Sequence, residues 1–322
     1  MNKKISSFIV VTVLLVAVII YSAITGSIKM DILEFIRAFF GEENADYTVI
    51  KDLRFPRIIV ALFAGAALSV AGVLLQAVMR NPLADAGVIG ISAGASFVQL
   101  LVITLFPTMF FFTPLLAFLG GAFACFLVFT LSWKSGLNPL KIILVGIAIN
   151  AMFTGLTEAF VTLCSYMNIM VGGVGGSNLS MRTWSNVSLI TFYGAIGLII
   201  SFLLVSWCNL LTLQDKTAKS LGFNITRARL IIAATAVLLA AISTATAGVI
   251  AFVGLLIPHI SRRLVGSDHK WLIPFSALAG ALLILTADTL GRILVAPLEI
   301  PASTIMAIIG GPFLIFLIRK DK

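Results

Sequence analysis

Apolar residues along this chain fall into about ten long runs, and the polar residues collect in the gaps between them. The runs lie near 6–28, 57–79, 87–106, 113–133, 141–164, 186–207, 229–249, 250–265, 272–291 and 303–319. A helix needs roughly 20 apolar residues to cross the hydrocarbon core of a bilayer. The pattern therefore predicts an all-α polytopic membrane protein with about ten transmembrane helices, a single domain over residues 1–322. The eighth run is short, which predicts a broken segment enclosed by protein, because unpaired backbone groups are not tolerated against lipid. Proline agrees with this map. Pro56, Pro82, Pro107, Pro114, Pro139, Pro274, Pro297 and Pro301 fall near run ends, where a missing N–H costs little. Pro258 and Pro312 fall inside runs.

Composition removes the soluble alternatives. The chain is 60% hydrophobic and 11% charged, with a mean hydropathy of +1.12, outside the range of ordinary soluble domains. The charges that remain give it an orientation. Fifteen of its 22 lysines and arginines fall in every second gap: Lys3, Lys4, Arg80, Lys134, Lys141, Lys216, Lys219, Arg227, Arg229, Arg262, Arg263, Lys270, Arg319, Lys320 and Lys322. The alternate gaps hold Lys29, Arg37, Lys51, Arg54, Arg57, Arg182 and Arg292, with most of the acidic residues, among them Asp31, Glu34, Glu42, Glu43, Asp46, Asp52 and Glu299. Cytoplasmic loops retain Lys and Arg, so this bias predicts a plasma-membrane protein with both termini cytoplasmic. The net charge of +9 then reflects topology and contact with anionic lipid rather than a nucleic-acid partner.

The first run follows Met-Asn-Lys-Lys like a secretory signal, but no small-residue cleavage site precedes Ser27, so it reads as a retained span. Cys125, Cys164 and Cys208 lie far apart without ligand spacing and imply neither a disulfide nor a metal. The chain has no Gly-x-x-x-x-Gly-Lys-Ser/Thr phosphate loop. Its two histidines, His259 and His269, join no metal-ligand cluster, and no catalytic Ser/His/Asp arrangement is visible. Ionisable residues inside spans usually mark ion coupling, and Glu158 and Asp288 are the only candidates. This poverty argues against an ion-driven transporter and against a membrane enzyme, and leaves the energy for any work to be supplied by something else.

Three segments carry a family resemblance. The first runs from Asp52-Leu53-Arg54-Phe55-Pro56-Arg57 through Gly72-Val73-Leu74-Leu75-Gln76 and Arg80-Asn81-Pro82-Leu83-Ala84-Asp85 to Gly90-Ile91-Ser92-Ala93-Gly94. The second joins Ser220-Leu221-Gly222-Phe223-Asn224 to Gly248-Val249-Ile250-Ala251-Phe252-Val253-Gly254-Leu255-Leu256-Ile257-Pro258-His259. The third contains Ala287-Asp288-Thr289-Leu290-Gly291-Arg292, Glu299-Ile300-Pro301 and Gly310-Gly311-Pro312-Phe313. Together they resemble the FecCD-type permeases, the membrane subunits of ABC importers for iron chelates, haem and cobalamin, and most of all the haem-iron permeases of Gram-positive bacteria. The resemblance implies a homodimer, two cytoplasmic ATPase subunits that bind ATP-Mg, and an extracytoplasmic substrate-binding lipoprotein. The transported ligand it implies is haem or a ferric siderophore, with cobalamin as the alternative. A secondary transporter driven by an ion gradient is the rival from another class.

The resemblance also assigns residues. Within the segment 212–226, Ala218, Ser220, Leu221 and Gly222 would form the helix that docks on the ATPase. The residues themselves permit a short helix there, with Asp215 as N-cap, Gly222 at its end, and Ala218 and Leu221 on one face. Thr226 could cap the next span. Arg54, Arg57 and Arg292 stand against the charge bias and would receive carboxylates of the binding protein; headgroup snorkelling is the plainer explanation. Asn150, Thr154 and Thr157 share one face of the fifth span, either as a wall of the translocation pathway or as interhelical hydrogen-bonders. Gly87–Gly94 predicts a helix break or close packing. His259 reads as structural, and 172–178 as an outer loop.

Overall fold

Long helices follow one another through most of the chain, as the apolar runs require. The computed structural model describes residues 2–25, 37, 45–133, 139–171, 179–296 and 298–320. The charged or polar positions Lys29, Asp31, Glu34, Glu42, Glu43, Lys134, Lys322, Pro297 and the loop 172–178 lie outside the described residues. The helices are α1 (Asn2–Ile24), α2 (Ala45–Met79), α3 (Ile91–Leu105), α4 (Thr113–Trp133), α5 (Pro139–Tyr166) and α6 (Trp184–Leu203). They continue with α7 (Val205–Leu211), α8 (Asp215–Ser220), α9 (Ile225–Ala247), α10 (Val253–Val265), α11 (His269–Ile293) and α12 (Ala302–Lys320); a 3-10 turn, Pro107–Phe112, joins α3 to α4. Seven of them are long and apolar enough to cross a membrane by themselves, and α3 and α12 are shorter apolar helices.

At 35 residues, α2 is about 52 Å long by helix rise, more than a bilayer core needs. It is the axis of the fold, packing on α11, α9, α6 and α10. Small residues allow this. A Cβ on Gly65 would collide with the carbonyl of Gly280 in α11, and one on Gly72 with the carbonyl of Gly254 in α10. Backbones can cross this closely in lipid only where side chains are absent. In contrast, α1, α5 and α12 leave broad apolar faces exposed.

The eighth run is broken and enclosed, as its length predicts. Residues 248–252 are not helical, Gly248 and Phe252 take φ of +80° and +68°, and the first six residues of α10 are buried. Three boundaries differ from the apolar pattern. Helix α2 begins twelve residues before the run at 57, because the polar stretch around Lys51–Arg57 is helical and places Pro56 inside it; Pro274 likewise lies inside α11. Helix α3 starts only at Ile91, after a turn that ends on Gly90. The run at 186–207 is interrupted at Leu204, which separates α6 from α7.

The helix order sorts the charges to two ends. At one end the start of α1 meets the start of α11: Phe8 packs edge-on to Trp271 and Phe275, and Lys4 lies 5.7 Å from the Trp271 ring. Arg80, α8 and the start of α9 share this basic end through the ion pairs of Asp215. There Asp268 caps α11 by accepting the Lys270 N–H at 3.0 Å, and that bond holds its carboxyl below the usual carboxylate range. The opposite end gathers the close of α1, the first turns of α2, the last turn of α11 and Glu299.

Candidate functional site

At the opposite end, three arginines converge on a buried carboxylate and on the last turn of α1. Arg57 grips Asp288 with two parallel hydrogen bonds, Nε to Oδ2 at 2.8 Å and Nη2 to Oδ1 at 2.9 Å, and donates from Nη1 to Glu299 at 2.9 Å. Arg292, one turn after Asp288, lies 3.8 Å from it and reaches the carbonyls of Ser22 and Thr25 and the Ser22 hydroxyl. Arg54 donates to the carbonyl of Ala23 at 2.7 Å. The last carbonyls of a helix have no partner of their own, so Arg54 and Arg292 complete α1. All three arginines are buried. Within the chain their positive groups face carboxylates and carbonyls.

At the basic end, α8 stands out from the bundle on a fixed root. Gly222 takes φ +75°, a left-handed conformation that Gly adopts without strain. The N–H of Phe223 bonds the Ala218 carbonyl at 3.1 Å and that of Gly222 bonds Lys219 at 2.9 Å, the paired closure of a Schellman motif. Ala218 is buried against the bundle, whereas Ser220, Leu221 and Gly222 are exposed. The proposed shared face of Ala218 and Leu221 is therefore corrected: the helix ends at Ser220, and the turn at Leu221 carries that side chain outward. Asp215 is not the N-cap either; Gln214 holds that position. The Asp215 carboxylate instead bridges Arg80 at 2.6 Å and Arg229 at 3.3 Å. Asn224, not Thr226, caps α9, accepting the Arg227 N–H at 3.0 Å.

Sequence reasoning passed over a polar knot that joins α2, the turn at 80–90 and α10. Gln76 donates to the carbonyls of Gly254 at 3.0 Å and Ala84 at 3.3 Å, and its oxygen accepts from Arg262. Asp85 accepts backbone N–H bonds from Gly87, Val88 and Gly254. Broken helices leave such backbone groups open at membrane depth, and these two side chains close them. A single Gln within the apolar run at 57–79 was the available signal. Beside the knot is a cleft of about 420 Å³ lined by Gln76, Arg80, Asn81, His259, Arg262 and Arg263. His259 packs edge-on to Phe313 at 5.8 Å.

The three polar residues of α5 differ in exposure. Thr154 is exposed, Asn150 is half-buried, and the Thr157 hydroxyl bonds back to the Phe153 carbonyl at 2.8 Å. Gly90 sits close to the Asn150 backbone and Gly155 has open space around it. The three cysteines are free and buried.

This architecture has known counterparts. The model of the FecCD transport family matches residues 14–320. The "Probable heme-iron transport system permease protein IsdF" of Staphylococcus aureus, in strains MSSA476 and MW2, is 42% identical over 321 residues, covering 100% of this chain and 98% of the relative. A solved structure described as "An inward-facing conformation of a putative metal-chelate type ABC transporter" superposes with a TM-score of 0.79 at 30% identity, over 98% of this chain and 99% of that one. The PsaBC structure from Streptococcus pneumoniae, in complex with Fab, shares the fold at a TM-score of 0.58 and 14% identity.

Proposed function

Because the chain belongs to the FecCD transport family, we propose that it is the permease subunit of an ATP-driven importer that carries an iron chelate into the bacterial cytoplasm. Haem is the first candidate cargo and a ferric siderophore the second. The observation that carries this reading is the full-length match, in sequence to a heme-iron permease and in fold to a metal-chelate transporter. The working assembly has two copies of this chain, two cytoplasmic ATPase subunits that supply the ATP-Mg chemistry, and an extracytoplasmic binding lipoprotein.

The parts take their roles from their placement. The basic end is cytoplasmic, with both termini there, because Lys and Arg are retained on that side. Helix α8 docks on the ATPase through Ser220, Leu221 and Gly222, and buried Ala218 roots it in the bundle. The Asp288 end meets the binding protein. Arg54 and Arg292 set its shape by holding α1. A carboxylate of the binding protein reaches Arg57 by displacing half-exposed Glu299. The exposed face of α5, with Asn150, Thr154 and Thr157, lines the pathway between the two copies.

The test is uptake into proteoliposomes holding the permease, its ATPase and its binding protein, with haem, a ferric siderophore and cobalamin compared. The expected result is ATP-dependent accumulation of an iron chelate. Uptake by the permease alone, driven by an ion gradient, would overturn the reading, and preference for cobalamin would overturn its cargo.

A further inference from the structure

Between α4 and α9, near the basic end, lies an apolar groove of about 390 Å³, within the usual range of ligand pockets, roughly 300–1,000 Å³. Phe118, Ala122, Phe126 and Phe129 form one wall, and Leu230 and Ala233 the other. Phe126 and Leu230 stand open on its rim, on a bundle surface of membrane-spanning helices. Thr226 and Arg229, in the first turns of α9, add a hydroxyl and a cation to this apolar lining. The Nε of Arg229 is buried and has no hydrogen-bond partner among the described residues, although Nη2 bonds Asp215. A buried N–H without an acceptor is costly, so this donor is open to a further acceptor at the mouth of the groove. The first turn of α9 ends at the same place, and a helix N-terminus favours anionic oxygens. Arg229 is the fifth residue of a 23-residue span, about 6 Å along the helix by its rise. For a helix that enters the bilayer at its first turn, that is the level at which a headgroup joins its acyl chains.

We infer that this groove binds an anionic phospholipid, with one acyl chain between α4 and α9 and the phosphate on Arg229 and Thr226. The charge at one end and the apolar walls beyond it match the two halves of such a molecule, and basic pockets between membrane helices take anionic headgroups in this way. On the topology proposed above the lipid belongs to the inner leaflet, but the chemistry of the groove does not depend on that orientation or on the transported cargo.

Native mass spectrometry of the purified full-length chain, offered equal amounts of phosphatidylglycerol and phosphatidylcholine with identical chains, tests the site. The wild type should retain phosphatidylglycerol in preference. Arg229→Ala should lower that retention about fivefold, the effect of one cation at a membrane surface, and Ala233→Trp should reduce both lipids by filling the groove. Asp215→Asn separates direct from indirect action: it frees Arg229, so retention should hold or rise. Equal retention of the two lipids by the wild type would overturn the inference, as would undiminished phosphatidylglycerol on Arg229→Ala. A loss on Asp215→Asn matching that on Arg229→Ala would also overturn it, since the effect would then come from α8. Melting curves show which variants are folded, and Arg229→Ala, at the edge of the bundle, decides the matter if Ala233→Trp is not.

Discussion

Two aspartates each sit between two arginines, one pair at either end of the bundle, yet their surroundings make them different devices. Asp288 bonds Arg57 at 2.8 Å with Arg292 at 3.8 Å, and its side chain is 1% exposed. Asp215 bonds Arg80 at 2.6 Å with Arg229 at 3.3 Å, and is 45% exposed. Water screens the second set and cannot reach the first. Breaking a buried pair leaves a desolvated charge behind, whereas an exposed pair contributes little because water replaces it. The Asp288 end is therefore a fixed clasp that ties α1, α2 and α11 together. The Asp215 end is a solvent-screened set of ion pairs beneath α8, as the proposed docking of that helix on an ATPase would need.

The largest expected effect is on the clasp. Asp288→Ala should destabilise the chain by about 3–5 kcal/mol, the cost of removing one partner of a buried pair, lowered to the extent that Glu299 still holds Arg57, and seen as a large drop in melting temperature in detergent. Replacing the pair together, Arg57→Met with Asp288→Leu, should recover much of that loss. A single-site loss below about 1 kcal/mol, as for an exposed pair, would erase the distinction between the two ends.

At the Asp215 end the backbone matters more than the ions. Gly222→Val forces a β-branched residue into left-handed geometry at a cost of about 1–2 kcal/mol, and opens the turn that displays Leu221. Substrate-stimulated ATP hydrolysis by the assembled importer should fall sharply while the melting temperature of the permease changes little. Hydrolysis that stays coupled in this variant would remove α8 from the coupling role.

How much of this was legible in the sequence follows from the same physics. Apolar runs and alternating charge foretold the helices, the broken eighth segment and the sorting of polar residues to two ends, because lipid enforces both. The site was read less well. Arg54, Arg57 and Arg292 were visible as outliers, but their partners lie on distant helices: Asp288 is 231 positions from Arg57, and the acceptors for Arg292 are two carbonyls and the Ser22 hydroxyl at the end of α1, which no side-chain pattern marks. Gln76 was one polar letter in an apolar run, and its meaning depends on two helix breaks that meet only in the fold. At α8, local signals sufficed for the Gly222 turn, while which face is buried depends on the bundle beneath it.

Glu299 tests whether the clasp can open at its rim. It is half-exposed and holds only Nη1 of Arg57, so Glu299→Gln should cost about 1 kcal/mol or less. If a carboxylate of the binding protein takes that position, removing the resident competitor should strengthen binding to the permease in nanodiscs. Weaker binding would mean that Glu299 itself, rather than Arg57, faces the partner.

The smallest effect is the sharpest test, because it matches residue type, partner type and partner number. Asp215→Asn removes the same charge from the same kind of arginine pair as Asp288→Asn; the two sites differ in burial and in the second carboxylate, Glu299, that also holds Arg57. The Asp215 change should cost about 0–1 kcal/mol, and that cost should vanish in 1 M salt, where the Debye length is about 3 Å. The Asp288 change should cost several times more and keep its full size in salt, because ions cannot enter the clasp. Melting curves of both variants at low and high salt decide the matter. Equal costs, or a salt-sensitive loss at Asp288, would mean that the two ends share one electrostatic environment, and the clasp would have to be explained by packing instead.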